Sequence, residues 1–176
     1  MTTDISLVTK AMEFAADKHR GQSRKDEKNT PYINHPISLA HLLSDVGEIT
    51  DANVIAAALL HDTVEDTDAT IDEIGDVFGN KIMNIVREVT DDKSLPSPER
   101  KRLQIENAAH ISHEAKLVKL ADKICNLQDM ILRPPVKWTL ERKCEYFDWS
   151  KEVIDRLRGT NSKLENLFDK IYQQKP

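Results

Sequence analysis

Seven consecutive apolar residues, Val54-Ile55-Ala56-Ala57-Ala58-Leu59-Leu60, run straight into His61-Asp62, and Glu65-Asp66 follows. A helix that is apolar around its whole circumference must be surrounded by other elements, so this segment belongs at the centre of the fold. It falls far short of the roughly 20 residues that span a bilayer. Asp51 is placed to cap its N-terminus. The segments around it also read as helices. Ile5, Val8, Met12 and Ala15 repeat at helical spacing, as do Leu39, Leu43 and Val46, and Ile82, Ile85, Val86 and Val89. Further stripes are Leu117, Leu120, Ala121 and Ile124, then Tyr146, Trp149, Val153 and Leu157, and finally Leu164, Leu167, Phe168 and Ile171. Pro36 suits a first helical turn. Thr70 with Glu73 forms a capping-box pattern, and Gly79 fits a helix stop. Residues 21–31, 91–98 and 133–135 read as loops. Strand alternation is absent, and five glycines are few for the tight turns of a sandwich. The expectation is an all-α chain: one domain over 1–176, a bundle of eight to ten helices with the C-terminal helices of about 138–173 packed on it.

The chemistry concentrates where the apolar helix ends. On a continuous helix His61 faces Glu65 and Asp62 faces Asp66, each four residues apart. Burying a histidine and three carboxylates without a positive partner is costly, and a divalent cation is an economical one. Imidazole plus carboxylate suits manganese, iron or zinc. The plainer alternative is a helix cap at His61 followed by a solvated acidic loop, since 62–76 holds seven acids and no base. His35 lies where a loop enters a helix. Asp122 interrupts an apolar run, either as a metal ligand or paired with Lys119 or Lys123.

These segments resemble the HD-domain metal-dependent phosphohydrolases. Within that superfamily, His19-Arg20-Gly21-Gln22-x-Arg24-Lys25, Pro31-Tyr32-Ile33-x-His35-Pro36, the block 57–67 and Lys119-Leu120-Ala121-Asp122-Lys123-x-x-Asn126-Leu127 are similar to the hydrolase half of the RelA/SpoT proteins. With no synthetase half, the chain resembles the stand-alone animal-type small alarmone hydrolases. The resemblance implies His35, His61, Asp62 and Asp122 as ligands of one Mn2+ per chain, the two carboxylates cancelling its charge. It implies Glu65 and Asp66 as the catalytic pair, and Arg24, Lys25, Asn126, Arg142 and Tyr146 around the nucleotide. The implied reaction is hydrolysis of the 3′-pyrophosphate of guanosine tetra- or pentaphosphate to GDP or GTP. Alternatives are removal of a phosphate from another nucleotide, such as the 2′-phosphate of NADPH, or a non-catalytic nucleotide sensor. Relatives carry another base in the loop where this chain has Ser97-Pro98.

Other polar residues read as structural. His19 fits a helix cap, while His41, His110 and His113 fall outside the site. Arg100-Lys101-Arg102 reads as a solvated helix face that could also help hold phosphates. The balance of 25 Lys+Arg against 30 Asp+Glu gives a net charge of −5, which argues against a polymeric nucleic-acid partner. Locally, residues 17–28 carry five bases against three acids, which suits a small polyanion. The N-terminus shows no apolar signal region, and Cys125 and Cys144 read as reduced thiols. An intracellular, cytoplasmic location away from membranes is expected.

Overall fold

The computed structural model describes residues 3–176. Ten helices occur among them. The first six are α1 (Asp4–Lys18), α2 (Asn34–Asp45), α3 (Ala52–Leu60), α4 (Thr63–Asp66), α5 (Ile71–Phe78) and α6 (Asn80–Val89). The others are α7 (Ser97–Asn107), α8 (His113–Leu132), α9 (Leu140–Asp155) and α10 (Ser162–Tyr172). The one extended pairing among the described residues is an isolated bridge between Ser23 and Pro31.

Helix α3 is central, as its composition demands. Eight of its nine residues are buried, and α1, α2, α6 and α8 pack around it. The caps are local and follow the sequence. Asp51 accepts a hydrogen bond from the Asn53 amide at 2.9 Å, and Thr70 accepts one from Glu73 at 3.1 Å. The carboxylate of Glu73 pairs with Lys18 rather than closing a capping box. Gly79 ends α5 at φ +86°, a conformation that costs an L side chain energy. The long α8 touches α2, α3, α6, α9 and α10, so it ties both ends of the chain to one core.

Several boundaries and faces differ from the periodicity. Ile5 is 78% exposed, and Ala11 and Ala15 are what α1 buries. The 91–98 loop is shorter than its prolines suggest, because α7 starts at Ser97 with Pro98 in its first turn, where a missing N–H costs nothing. His113 opens α8 behind the cap Ser112. On α9 the core face is Phe147, Ser150, Val153 and Ile154, while Tyr146 and Trp149 turn toward a cavity. Helical spacing fixes the separation between stripe residues but not which neighbour covers them.

Phe147 and Ile154 of α9 and Leu164 and Phe168 of α10 share one apolar cluster with Leu59, Leu60 and Leu120. Phe168→Ala is therefore expected to cost about 3–5 kcal/mol. Chemical denaturation should show that loss within a single transition; a second, separate transition would mean that the last two helices unfold independently.

Candidate metal centre

Helix α3 does not run on through the His-Asp pair. The His61 ring Nδ1 lies 2.7 Å from the Ala58 carbonyl, and the Thr63 hydroxyl donates to the Leu60 carbonyl at 2.7 Å. Side chains thus satisfy carbonyls that the next helical turn would otherwise take. The backbone turns at Asp62 (φ −99°, ψ −4°) and restarts as the one-turn α4. His61 and Glu65 are consequently not paired along one continuous helix, whereas Asp62 and Asp66 remain so, the Asp66 amide donating to the Asp62 carbonyl at 2.8 Å. The break has a chemical consequence. A carbonyl can only accept, so in the neutral ring His61 Nδ1 carries the proton and leaves the Nε2 lone pair directed away from α3, free for a metal ion.

Three other side chains meet that nitrogen. Asp62 Oδ2 lies 3.0 Å from His61 Nε2, and Asp122 Oδ1 of α8 lies 3.8 Å away. His35, from the first turn of α2, places Nε2 at 3.2 Å from Asp122 Oδ1 and 3.9 Å from Asp62 Oδ2. The ligand atoms of His35, His61 and Asp62 all lie within 4.8 Å of one another. His61 Nε2 is buried with no hydrogen-bond partner despite the close carboxylates, because their direction is wrong for one. Two imidazole nitrogens and two carboxylates converging on one point suit a cation held between them.

The electrostatics agree. Burial opposes charge on His61, yet Asp62 and Asp122 raise its pKa to about 9. Burial holds His35 below the ordinary imidazole range. Asp62 and Asp122 stay well below the usual carboxylate range against the pull of burial, Asp62 through His61 and Asp122 through Lys123 and His35. Two carboxylates thus face one proton in the bare protein, and a dication would neutralise them fully. Two nitrogens and two carboxylate oxygens fit a hard-to-borderline divalent ion.

Around the cluster, the remaining site residues fall into distinct environments. Glu65 accepts a hydrogen bond from the Asp91 amide at 3.0 Å and lies 3.6 Å from Arg100 Nη1. Burial, more than the surrounding acids, raises its pKa. Asp66 is held on both oxygens, by Lys93 and by the Tyr32 hydroxyl at 3.1 Å. That hydroxyl lies closer still to Asp62 Oδ2, at 2.6 Å. Asn126 donates to Asp122 Oδ1 at 2.6 Å and accepts from Arg24 at 2.8 Å, and Arg24 also pairs with Asp129 at 3.1 Å.

Two connected hollows share these groups. One, of about 330 Å³, is lined by His61, Asp62, Glu65, Asp122, Arg100, Lys101, Lys123 and Trp149. The other, about 590 Å³, is lined by Lys25, Ser38, Asp129, Arg133 and Met130. His35, Tyr32, Arg24, Asp66, Asn126, Trp138 and Tyr146 line both. Arg142 joins the first hollow with its guanidinium 4.2 Å over Trp138, and Lys25 is an exposed rim residue of the second.

Sequence reasoning left Tyr32, Lys93, Asp129 and Trp138 without a place in the site. Tyr32 stands three residues before His35 in the Pro31-Tyr32-Ile33-x-His35-Pro36 block, which was its only signal. The Arg100-Lys101-Arg102 triplet divides: Arg100 and Lys101 face the hollow, while Arg102 pairs with Glu99 and Glu106 in solvent. Lys119 is spent on the Val89 carbonyl at 3.0 Å. His19 is the cap of α1, bonded to Gln22 and stacked on Tyr32, whereas His41, His110 and His113 are exposed. Cys125 and Cys144 are free thiols. No helix among the described residues is long and apolar enough to cross a membrane.

Residues 11–146 match the HD domain family. The chain is 55% identical over 172 residues to a Xenopus tropicalis protein named guanosine-3′,5′-bis(diphosphate) 3′-pyrophosphohydrolase MESH1, covering 98% of this chain and 96% of that one. The human protein of the same name is 51% identical over 175 residues, covering 99% and 98%. A solved structure of a metazoan ortholog of SpoT, described as hydrolysing ppGpp and acting in starvation responses, superposes with a TM-score of 0.94. It is 53% identical and covers 96% of this chain and 95% of its own.

Proposed function

The chain belongs to the HD domain family, and from that premise we propose that it is a guanosine-3′,5′-bis(diphosphate) 3′-pyrophosphohydrolase using one Mn2+ held by His35, His61, Asp62 and Asp122. The observation that carries this reading is the meeting of those four side chains beside Glu65 at the wall of a cavity with several cations. A divalent ion bound there supplies polarisation of the phosphoryl oxygen and a lowered pKa for water.

The rest of the chemistry falls to the chain's own groups. A water oxygen attacks the phosphorus that bears O3′, the P–O3′ bond breaks, and the released O3′ takes a proton. One water is consumed per GDP and pyrophosphate formed. Glu65 is the better proton acceptor of the acidic pair, because its pKa is raised and its Oε1 has only Arg100 at 3.6 Å. Asp66, engaged by Tyr32 and Lys93, is better suited to orienting than to accepting. Arg24 is steered by Asn126 and Asp129 toward the shared wall of the two hollows, and exposed Lys25 adds charge at the rim. Trp138 and Tyr146, with ring centroids 5.5 Å apart, offer an apolar surface for the nucleoside. The substrate is thus a small nucleotide.

Incubation with guanosine tetraphosphate and Mn2+ is expected to yield GDP and pyrophosphate in equal amounts; orthophosphate as the only product, or no turnover, would refute the assignment. Tyr32 should matter through Asp62. Tyr32→Phe deletes the hydroxyl and keeps the ring stacked on His19, so Mn2+ affinity measured by paramagnetic resonance is expected to weaken by about tenfold or more. Unchanged affinity would assign the hydroxyl to Asp66 alone.

A further inference from the structure

Three cations stand beside the metal centre with little to neutralise them. Lys123 is 3% exposed, and its ammonium sits 4.2 Å from the centre of the Trp149 ring, with one carboxylate contact, Asp122 at 3.4 Å. That carboxylate is already engaged with His35 and Asn126. Lys101 places its ammonium 5.1 Å from the same ring. Arg142 lies over Trp138. Among the described residues no carboxylate comes within 4.0 Å of Lys101 or Arg142; Glu145 attracts Lys101 from farther off, and Arg142 and Lys123 repel it. Burial lowers the Lys101 pKa as well. The Trp149 indole N–H donates to the Lys101 carbonyl at 3.1 Å, which locks α7 against α9 and holds the group in place.

The opposite rim is different. There Arg24 and Arg133 both pair with Asp129, at 3.1 and 2.8 Å. Three like charges gathered on a concave wall, over aromatic faces and with one shared carboxylate between them, are unfavourable until an anion joins them. The wall also begins at the metal centre, because Lys123 neighbours the proposed ligand Asp122.

We propose that Lys101, Lys123 and Arg142 form a subsite for the distal phosphate of the scissile 3′-diphosphate, and that this subsite selects a ribose diphosphate over a single ribose phosphate. It rests on the hydrolase reading for the placement of the reacting phosphorus. The leaving pyrophosphate then departs along a cationic wall, while the nucleoside occupies the hollow lined by Met130 and Tyr146.

The test uses Mn2+-loaded protein in a slowed Glu65→Gln background and calorimetric titration with three nucleotides. These are guanosine 5′-diphosphate 3′-diphosphate, its 3′-monophosphate counterpart, and guanosine 3′-diphosphate without 5′-phosphates. Lys101→Gln and Arg142→Gln remove charge from half-buried and exposed positions, so both are expected to fold. Each should weaken the two 3′-diphosphates by about tenfold and leave the 3′-monophosphate nearly unchanged. Equal weakening of all three, or no weakening, would overturn the proposal. So would a loss that tracks the 5′-phosphates instead. If the wild-type protein proves unable to hydrolyse the tetraphosphate, the hydrolase reading fails while these titrations still decide the subsite.

Discussion

Asp62→Ala is expected to lower pyrophosphate release by at least about 10³-fold and to abolish the rise in melting temperature that Mn2+ gives the wild-type protein. The metal-free fold should be unaffected. In the bare protein Asp62, with Asp122, raises the pKa of the buried His61 to about 9. Removing that carboxylate lets burial lower the His61 pKa, which offsets part of the lost negative charge. The core packing of Leu59 and Leu60 is untouched. Thermal unfolding with and without Mn2+, beside a pyrophosphate assay, checks both halves. An Asp62→Ala protein that still gains stability from Mn2+ would remove Asp62 from the ligand set.

Glu65→Gln is expected to cost about 10²–10⁴-fold in kcat with Mn2+ binding preserved. The side chain keeps its size and its hydrogen bond from the Asp91 amide, but loses the capacity to take a proton. Asp66→Asn should behave differently. Its carboxylate is engaged by Lys93 and shares the Tyr32 hydroxyl with Asp62. Neutralising it releases the lysine and shifts Tyr32 further onto Asp62, so its loss should fall on KM as well as kcat. Steady-state kinetics of the two variants separate these outcomes. Equal kcat losses with unchanged KM for both would make the two acids interchangeable proton carriers.

The non-catalytic reading sketched from sequence gains nothing from the geometry. Glu65 is poised with a raised pKa beside His35, His61, Asp62 and Asp122, a combination a mere sensor has no need of.

What could be read in the sequence was whatever is governed by neighbours along the chain. The all-α character, the centrality of 54–60 and the caps at Asp51, Thr70 and Gly79 all follow from periodicity and from hydrogen bonds within a few residues. Motif resemblance singled out His35, His61, Asp62 and Asp122, and the structure brings those four together; their role as ligands remains a proposal. The break at His61-Asp62 was hidden because it depends on two side chains capturing the Ala58 and Leu60 carbonyls. The face that α9 buries was hidden too, since a stripe of Tyr146, Trp149 and Val153 fits a core and a cavity equally well.

The cationic wall is the clearest case. Lys101 is read from its own segment as part of a solvated face that could also hold phosphates, Lys123 as a partner for Asp122, and Arg142 only through resemblance. Their convergence joins α7, α8 and α9, separated by tens of residues. Helix formation is decided by short-range backbone bonding and an apolar stripe, so the sequence by itself determined the helices and the buried centre. Which charges meet across the cavity depends on how those helices cross and rotate against one another, because only packing brings residues distant in the chain within reach of one phosphate; that the tertiary structure alone decided.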